Sequence, residues 1–274
     1  MLLKLLFVLA FFFTPLMCDY NSDFVALAEY ICGEGYLSHG GPKLLKRMLE
    51  GENLENKKLL DIGCGIGGPS VYIAEHHPVE LIGIDPDPYM IDRCCQLLAS
   101  TKEMKGKASF TLMENPLTLE PLQNESFDMV ISREALLNIP NEQKKAFFEE
   151  VFRVLKPGGT IIFYDWMHQS PNYGPELTAM LEMDDIPYHL LKPAEYTKTL
   201  NDAGFCHVTI ADLSDLLETL SQECVDRIAN NRQHVIDQFG EDAYTYSLQS
   251  WTYQTAAFQK RELLAGIIKA TVQH

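Results

Sequence analysis

Paired cysteines, positive charge and internal repetition are all scarce in this chain of 274 residues. Its seven cysteines, Cys18, Cys32, Cys64, Cys94, Cys95, Cys206 and Cys224, are odd in number and form no C-x-x-C pair. That pattern speaks against a disulfide framework and against a zinc or other metal site of the usual spacing, and it fits a reducing compartment. Lysine and arginine number 22 against 38 aspartates and glutamates, for a net charge of −16. So acidic a surface repels phosphate backbones, which argues against general nucleic-acid binding. The excess carboxylates either keep the protein soluble or attract small cations. With 46% apolar and 22% charged residues the composition is that of an ordinary globular protein, long enough to bury a core without disulfides or metals. The one long apolar run, residues 1–16, is short for a stable membrane span. It reads either as a secretory leader with a poor exit, Leu16 and Cys18 preceding a cleavage before Asp19, or as a gene-model extension upstream of a start at Met17.

Helical spacing at Phe24, Leu27, Ala28 and Ile31 predicts a helix over 23–31, stopped by Gly33. A second short helix, 43–49, follows Pro42. From residue 57 strands and helices alternate: strands at 58–62, 80–84, 109–113, 127–132 and 160–164, helices at 69–75, 90–99 and 141–155, the last capped by Asn141. This alternation predicts an α/β fold with a parallel, doubly wound sheet. After Asp165 the pattern loosens, and 167–192 reads as a lid inserted over the strand ends. A helix at 194–203, a strand at 206–211, helix through most of 214–239, a helix at 246–262 and a closing apolar strand at 263–272 complete a single domain over 19–274.

The most informative stretch is Leu59-Leu60-Asp61-Ile62-Gly63-Cys64-Gly65-Ile66-Gly67-Gly68. A buried strand enters a turn without side chains and a helix follows, so backbone N–H groups can approach a ligand closely. Gly63, Gly65 and Gly68 also satisfy the dinucleotide spacing G-x-G-x-x-G, and a purely structural turn is a third possibility. Asp61 would be awkward beside a pyrophosphate but suits a cationic amino group. Asp85, at the end of the next strand, can take both hydroxyls of a ribose, a feature that NAD sites share.

Asp61 to Gly67, Asp85 and the run Val154-Leu155-Lys156-Pro157-Gly158-Gly159 together resemble class I S-adenosylmethionine-dependent methyltransferases. The resemblance implies a Rossmann-like sheet of seven strands, mostly parallel with the last reversed, preceded by N-terminal helices. It implies S-adenosyl-L-methionine as cofactor, with the methionine part wrapped by Gly63, Gly65 and Gly67, and the ribose held by Asp85 beside Pro86. On the adenine side the family usually carries an aspartate, where this chain has Asn115 followed by Pro116. Arg133 is expected to brace Glu134 or the sheet edge near the cofactor.

Tyr20, Glu29 and the segment from Gly33 to Gly41 resemble the N-terminal part of phosphoethanolamine N-methyltransferases, as do the segments from Ser132 to Leu137 and from Asp212 to Asp215. By that resemblance Tyr20 closes over the substrate, Leu37 and Ser38 touch the cofactor, and Glu134 faces the amine. The chain departs from the pattern in several places. Asn138 replaces a histidine that pairs with the lid tyrosine, and Glu134 replaces a shorter aspartate. At the phosphate end Tyr188 is retained, but Ile186 stands for an arginine and Gln254 for a lysine. The substrate therefore lacks the phosphate, or the phosphate meets Lys192, Arg232 or Lys260 instead.

Tyr36, Trp166 and Tyr188 could form an aromatic wall suited to a cationic nitrogen, and Trp166 could equally be core packing at a strand end. An alkylamine arrives protonated and must lose a proton before attack. With Asn138 in place of histidine, Tyr20, Glu134, His39 and His189 are the groups available to handle it. Three functions follow: N-methylation of a small amine of the phosphoethanolamine type, O- or C-methylation of a lipid or natural product, and cofactor binding without catalysis. A lid built around Tyr20 favours a start at Met17 and a cytoplasmic location, with secretion or membrane association the alternative should 1–18 act as a signal. Oligomeric state has no signature in the sequence.

Overall fold

The computed structural model describes residues 22–170, 172–184 and 187–273; the apolar leader, Tyr20 and Ile186 lie outside the described residues. Helices α1 (Ser22–Cys32) and α2 (Gly41–Met48) precede the sheet. Then come β1 (Lys58–Ile62), α3 (Gly68–His76), β2 (Glu80–Asp85), α4 (Pro88–Ser100), β3 (Lys107–Leu112) and β4 (Phe127–Arg133). A 3₁₀ turn (Leu136–Asn138) leads to α5 (Asn141–Val154), β5 (Leu155–Met167), α6 (Pro175–Asp184), α7 (Pro193–Asp202) and β6 (Cys206–Asp212). The chain closes with α8 (Ser214–Asn230), α9 (Arg232–Phe239), α10 (Glu241–Gln259) and β7 (Leu264–Thr271).

The strands form one sheet in the order β3-β2-β1-β4-β5-β7-β6. Neighbours are parallel except β7, which runs against both β5 and β6. The expected doubly wound sheet of seven strands is thus present, and the apolar run near the end supplies its reversed strand. Alternate side chains feed the two faces, as a strand's period of two requires. Leu60, Ile62, Ile161 and Phe163 meet Phe147, Phe148 and Val151 of α5 and Tyr196 and Leu200 of α7 on one side. Leu59, Ile162, Tyr164 and Trp166 meet α2, α6, α8 and α10 on the other, through Leu44, Met180, Leu217 and Phe258. Each such apolar side chain contributes about 1.5–3 kcal/mol when fully buried.

Two expectations are corrected. Strand β5 extends well beyond 160–164, because β7 pairs with it as far as Met167↔Leu264. Its polar start is accommodated by a register shift against β4, where Phe127 faces Leu155 but Met129 faces Thr160. Asp165 can sit inside the strand because the Tyr196 hydroxyl (2.5 Å) and the Trp166 N–H (3.0 Å) donate to its carboxylate. Helix α5 is preceded by Pro140 at the N-cap, so Asn141 is its first helical residue. The Asn141 side chain instead donates to the Leu190 carbonyl at 3.3 Å.

Lys144 is fully buried, and its ammonium donates to three carbonyls, those of Leu136 (2.8 Å), Ile139 (2.7 Å) and His189 (2.9 Å). One side chain thereby fixes the turn after β4 to the segment that follows α6. Burial lowers the Lys144 pKa, and the Asp165 carboxylate opposes that shift. Replacing Lys144 by Met orphans three buried acceptors and should destabilise the fold by about 3–5 kcal/mol in urea unfolding. Lys145, exposed and paired with Glu149 one turn along α5, should lose only about 0.3–0.5 kcal/mol when changed to Met.

Candidate active site

The chain leaves β1 toward one edge of the sheet and β4 toward the other, so their carboxyl ends part and leave a crevice. A cavity of about 950 Å³ occupies it. The turn after β1 forms its floor. Gly63, Gly65 and Gly67 have φ of 70°, 53° and 88°, a left-handed backbone that side chains resist. At Gly63 a Cβ would also stand 2.3 Å from the Ala135 Cβ, so the two strand ends meet only because this residue has no side chain. Asp85 braces the turn, accepting from the Gly65 N–H at 2.9 Å and the Asp87 N–H at 3.0 Å. Asp61 is buried and accepts from the Ser70 hydroxyl at 2.6 Å. Burial pushes both aspartates up to about 6 against these hydrogen bonds.

The segment after α1 folds onto this floor because Glu29 holds it. Its carboxylate accepts from the Gly35 N–H at 2.9 Å and pairs with Arg93 of α4 at 2.7 Å, while the Gly68 N–H donates to the Gly35 carbonyl at 3.0 Å. Tyr36, Leu37, Ser38 and His39 are thereby laid along the cavity wall. His39 is buried and its imidazole pushed down to about 4 by desolvation, so it is neutral near pH 7. The Tyr36 phenol is pushed up to about 12 by the same cause. Arg133 reaches back from β4, its guanidinium 5.5 Å from the centre of the Tyr36 ring and donating to the His39 carbonyl at 3.3 Å.

Glu134 follows β4 with φ of 51°. Such a backbone costs a non-glycine residue on the order of 1–3 kcal/mol, and here it turns the carboxyl group out of the strand line. The carboxylate accepts from the Trp166 indole N–H at 3.1 Å. Trp166 in turn lies edge-on to Tyr188, with ring centres 5.5 Å apart. The Asn138 Oδ1 is buried and, among the described residues, has no hydrogen-bond partner.

Most residues expected at the site line this one cavity: Tyr36, Leu37, Ser38, Asp61, Gly63, Gly65, Asp85, Pro86, Pro116, Arg133, Glu134, Asn138, Trp166 and Tyr188. Gly67 is not among them; it packs on Cys94, whose sulfur would lie 2.9 Å from an added Cβ. Nor is Asn115, which is exposed and turns its Oδ1 to the Leu117 N–H at 3.2 Å, so that Pro116 and Leu117 face the cavity instead. Tyr20 lies outside the described residues. Asp184, Tyr246, Ser250 and Trp251 also line the cavity and escaped the sequence reading. No local signal marks them, since Asp184 of α6 and Ser250 of α10 are 66 residues apart.

The turn supplies its own test. Gly63→Ala should destabilise the protein by about 2–4 kcal/mol in thermal or urea unfolding, through backbone strain plus the Ala135 clash. Gly51 has φ of 82° but open space around it, so Gly51→Ala should cost only about 1 kcal/mol.

Residues 60–163 match a family model described as a methyltransferase domain. The phosphoethanolamine N-methyltransferase of Plasmodium falciparum is 28% identical over 256 residues, 92% of this chain and 93% of that protein. Phosphoethanolamine N-methyltransferase 1 of Zea mays is 27% identical over 254 residues, 92% of this chain but 49% of that protein. The chain thus spans about half the length of the plant relatives it matches. Among solved structures, phosphoethanolamine N-methyltransferase 2 of Haemonchus contortus, in complex with phosphomonomethylethanolamine and S-adenosylhomocysteine, superposes with a TM-score of 0.83 at 19% identity. That superposition covers 92% of this chain and 58% of the other. Residues 60–163 thus match a methyltransferase domain, the fold is that of the superposed methyltransferase structure, and over nearly its whole length the chain resembles the phosphoethanolamine N-methyltransferases.

Proposed function

We propose that the chain is an S-adenosylmethionine-dependent N-methyltransferase acting on a small amine built like phosphoethanolamine, a short alkyl chain with nitrogen at one end and a polar group at the other. One observation carries the reading: the side-chain-free turn with Asp61 and Asp85, and the Glu134–Trp166 pair, open into the same cavity. The residues present fit the cofactor. Gly63 and Gly65 leave room for close approach of the methionine part, and two buried carboxylates without a paired ammonium or guanidinium favour a cationic ligand. Asp61 would face the amino group, Asp85 beside Pro86 the ribose, and Pro116 with Leu117 the adenine. When bound, the cofactor supplies a methyl group on positively charged sulfur, which the acceptor nitrogen takes through its lone pair as the carbon–sulfur bond breaks.

The protein's own part is to hold the amine and strip its proton. The Glu134 carboxylate, fixed by the Trp166 indole N–H, attracts the ammonium, and Trp166 and Tyr188 line the same cavity beside it. The unpartnered Asn138 Oδ1 accepts one N–H and so orients the nitrogen. His39, held neutral far below its ordinary range, is a poor base. Glu134, which faces the ammonium, takes the proton and passes it to water at the cavity mouth. Orientation of this kind is worth up to about 7–11 kcal/mol in well-aligned reactions. The segment 167–192, with α6 packed on α10, serves as the lid. Six cysteines among the described residues are free thiols, and no helix among those residues is long and apolar enough to cross a membrane. The free thiols suit the reducing compartment, the cytoplasm, in which we place the enzyme.

A labelled-methyl assay over a panel of small amines tests the reaction, and failure to methylate any amine would sink it. Asp85→Ala should weaken cofactor binding in calorimetry, whereas Glu134→Ala should chiefly lower turnover. Since Asp61 and Asp85 sit at about 6 in the free protein, a cationic ligand favours their ionised forms. Cofactor affinity should therefore rise between about pH 5 and pH 7, by roughly tenfold for each carboxylate that must ionise. A flat profile would show that neither aspartate has to ionise for the cofactor to bind.

A further inference from the structure

The far end of the acceptor cavity carries a carboxylate where an anionic substrate would need cations. Asp184, the last residue of α6, lines the cavity together with Tyr188, Tyr246 and Ser250. All three hydroxyls donate to it: Ser250 at 2.9 Å and Tyr246 at 3.1 Å to Oδ1, Tyr188 at 3.4 Å to Oδ2. The hydroxyls that would otherwise be turned toward a phosphate are thus engaged by a protein carboxylate. Among the described residues, the only lysine or arginine on the cavity is Arg133, and it is occupied with Tyr36 and the His39 carbonyl. The three cations that sequence offered as alternatives are elsewhere. Arg232 pairs with Glu241, Lys260 pairs with Glu176, and Lys192 sits at the N-cap of α7; none lines the cavity.

The remaining wall is neutral. Gln254 is buried and accepts from the Ser221 hydroxyl at 3.5 Å, and Ser221 stands 3.4 Å from His39 Nε2. The other nitrogen of His39, Nδ1, is buried with no partner among the described residues, a polar atom left for a ligand. His39 packs edge-on against Trp251, at 5.2 Å. A dianionic phosphate placed here would lie beside Asp184, face no free cation and lose its hydration without compensation. A hydroxyl or a second ammonium at the same place would donate to Asp184 and lie against aromatic rings.

We infer that the acceptor is an unphosphorylated amine, a short amino alcohol or diamine, whose nitrogen faces Glu134 and whose far hydroxyl or ammonium is received by Asp184. This rests on the N-methyltransferase reading and narrows its substrate class. Asp184 acts as a specificity determinant by the sign of its charge; its ties to α10 alone would be a structural role with no effect on substrate ranking.

The experiment compares ethanolamine, N-methylethanolamine and 1,3-diaminopropane with phosphoethanolamine and its monomethyl form, by methyl transfer and by calorimetric binding in the presence of S-adenosylhomocysteine. The unphosphorylated set should be preferred by about tenfold or more in kcat/KM and in affinity. Asp184→Asn, which keeps the size and most hydrogen bonds of the side chain, should shrink that preference by about fivefold or more while leaving cofactor affinity unchanged. Preference for the phosphorylated set overturns the inference and leaves N-methylation standing. An unchanged ranking in a folded Asp184→Asn protein also overturns it. Should that variant not fold, the binding order of the unaltered protein decides. Absence of transfer to every amine overturns both readings together.

Discussion

Among the described residues five carboxylates, those of Asp61, Asp85, Asp87, Glu134 and Asp184, line one cavity that holds a single guanidinium, that of Arg133. Burying carboxylates without counter-ions is costly, and the protein offsets part of the cost with hydrogen bonds from backbone N–H groups, hydroxyls and an indole. Every one of those donors sits where it does because the chain brings it there: Ser70 at the start of α3, Gly65 in the turn, Trp166 late in β5, Ser250 in α10. The remaining imbalance is electrostatic, and it favours positive charge in the cavity. Both the sulfonium donor and the ammonium acceptor of the proposed reaction carry such charge.

The architecture creates this imbalance by parting β1 from β4. Where the two strand ends still touch, Gly63 and Ala135 leave no room for another methyl group. Just beyond, Glu134 accepts an unfavourable backbone conformation and thereby projects its carboxylate into the gap. Lys144 then holds the next turn and the segment after α6 with one ammonium. The acceptor side is therefore built from two stretches distant in sequence and joined by this buried cation together with the hydrogen bonds from the His189 N–H to the Leu137 carbonyl and from Asn141 to the Leu190 carbonyl. Flexibility at this joint would loosen Asn138 and Tyr188 together.

Correspondence between the chain and its relatives is uneven across the cavity. On the cofactor side the turn and the two aspartates resemble the pattern of the methyltransferase family, and the structure brings Asp61, Gly63, Gly65 and Asp85 to one cavity while Gly67 packs on Cys94. Asn115 also lies off the cavity: an asparagine side chain closes readily on a backbone N–H two residues ahead, and here it does so. On the acceptor side the pattern breaks at Asn138 and Gln254, and the structure places a carboxylate, Asp184, on the same cavity. With a carboxylate and, among the described residues, no free cation there, the far end favours positive charge, which is why we assign the acceptor a different polar group from the one in the relatives' names.

Periodicity and punctuation in the sequence were enough to determine the alternation of strands and helices, the doubly wound sheet, the glycine turn and the two aspartates around it, because each of these follows from local backbone preferences and from short-range spacing. The length of β5 was not legible, since it depends on pairing with β7, whose partner residues lie about a hundred positions away. Nor was the environment of Lys144, an ordinary residue of an amphipathic helix until two carbonyls of the preceding turn and that of the distant His189 surround it. Asp184 belongs to the same class: an acidic residue at a helix end looks solvated in sequence, and only the packing of α6 on α10 turns it toward the cavity. Local chemistry is written in neighbouring residues, but the charge of a cavity is a sum over side chains that meet only when the chain has folded.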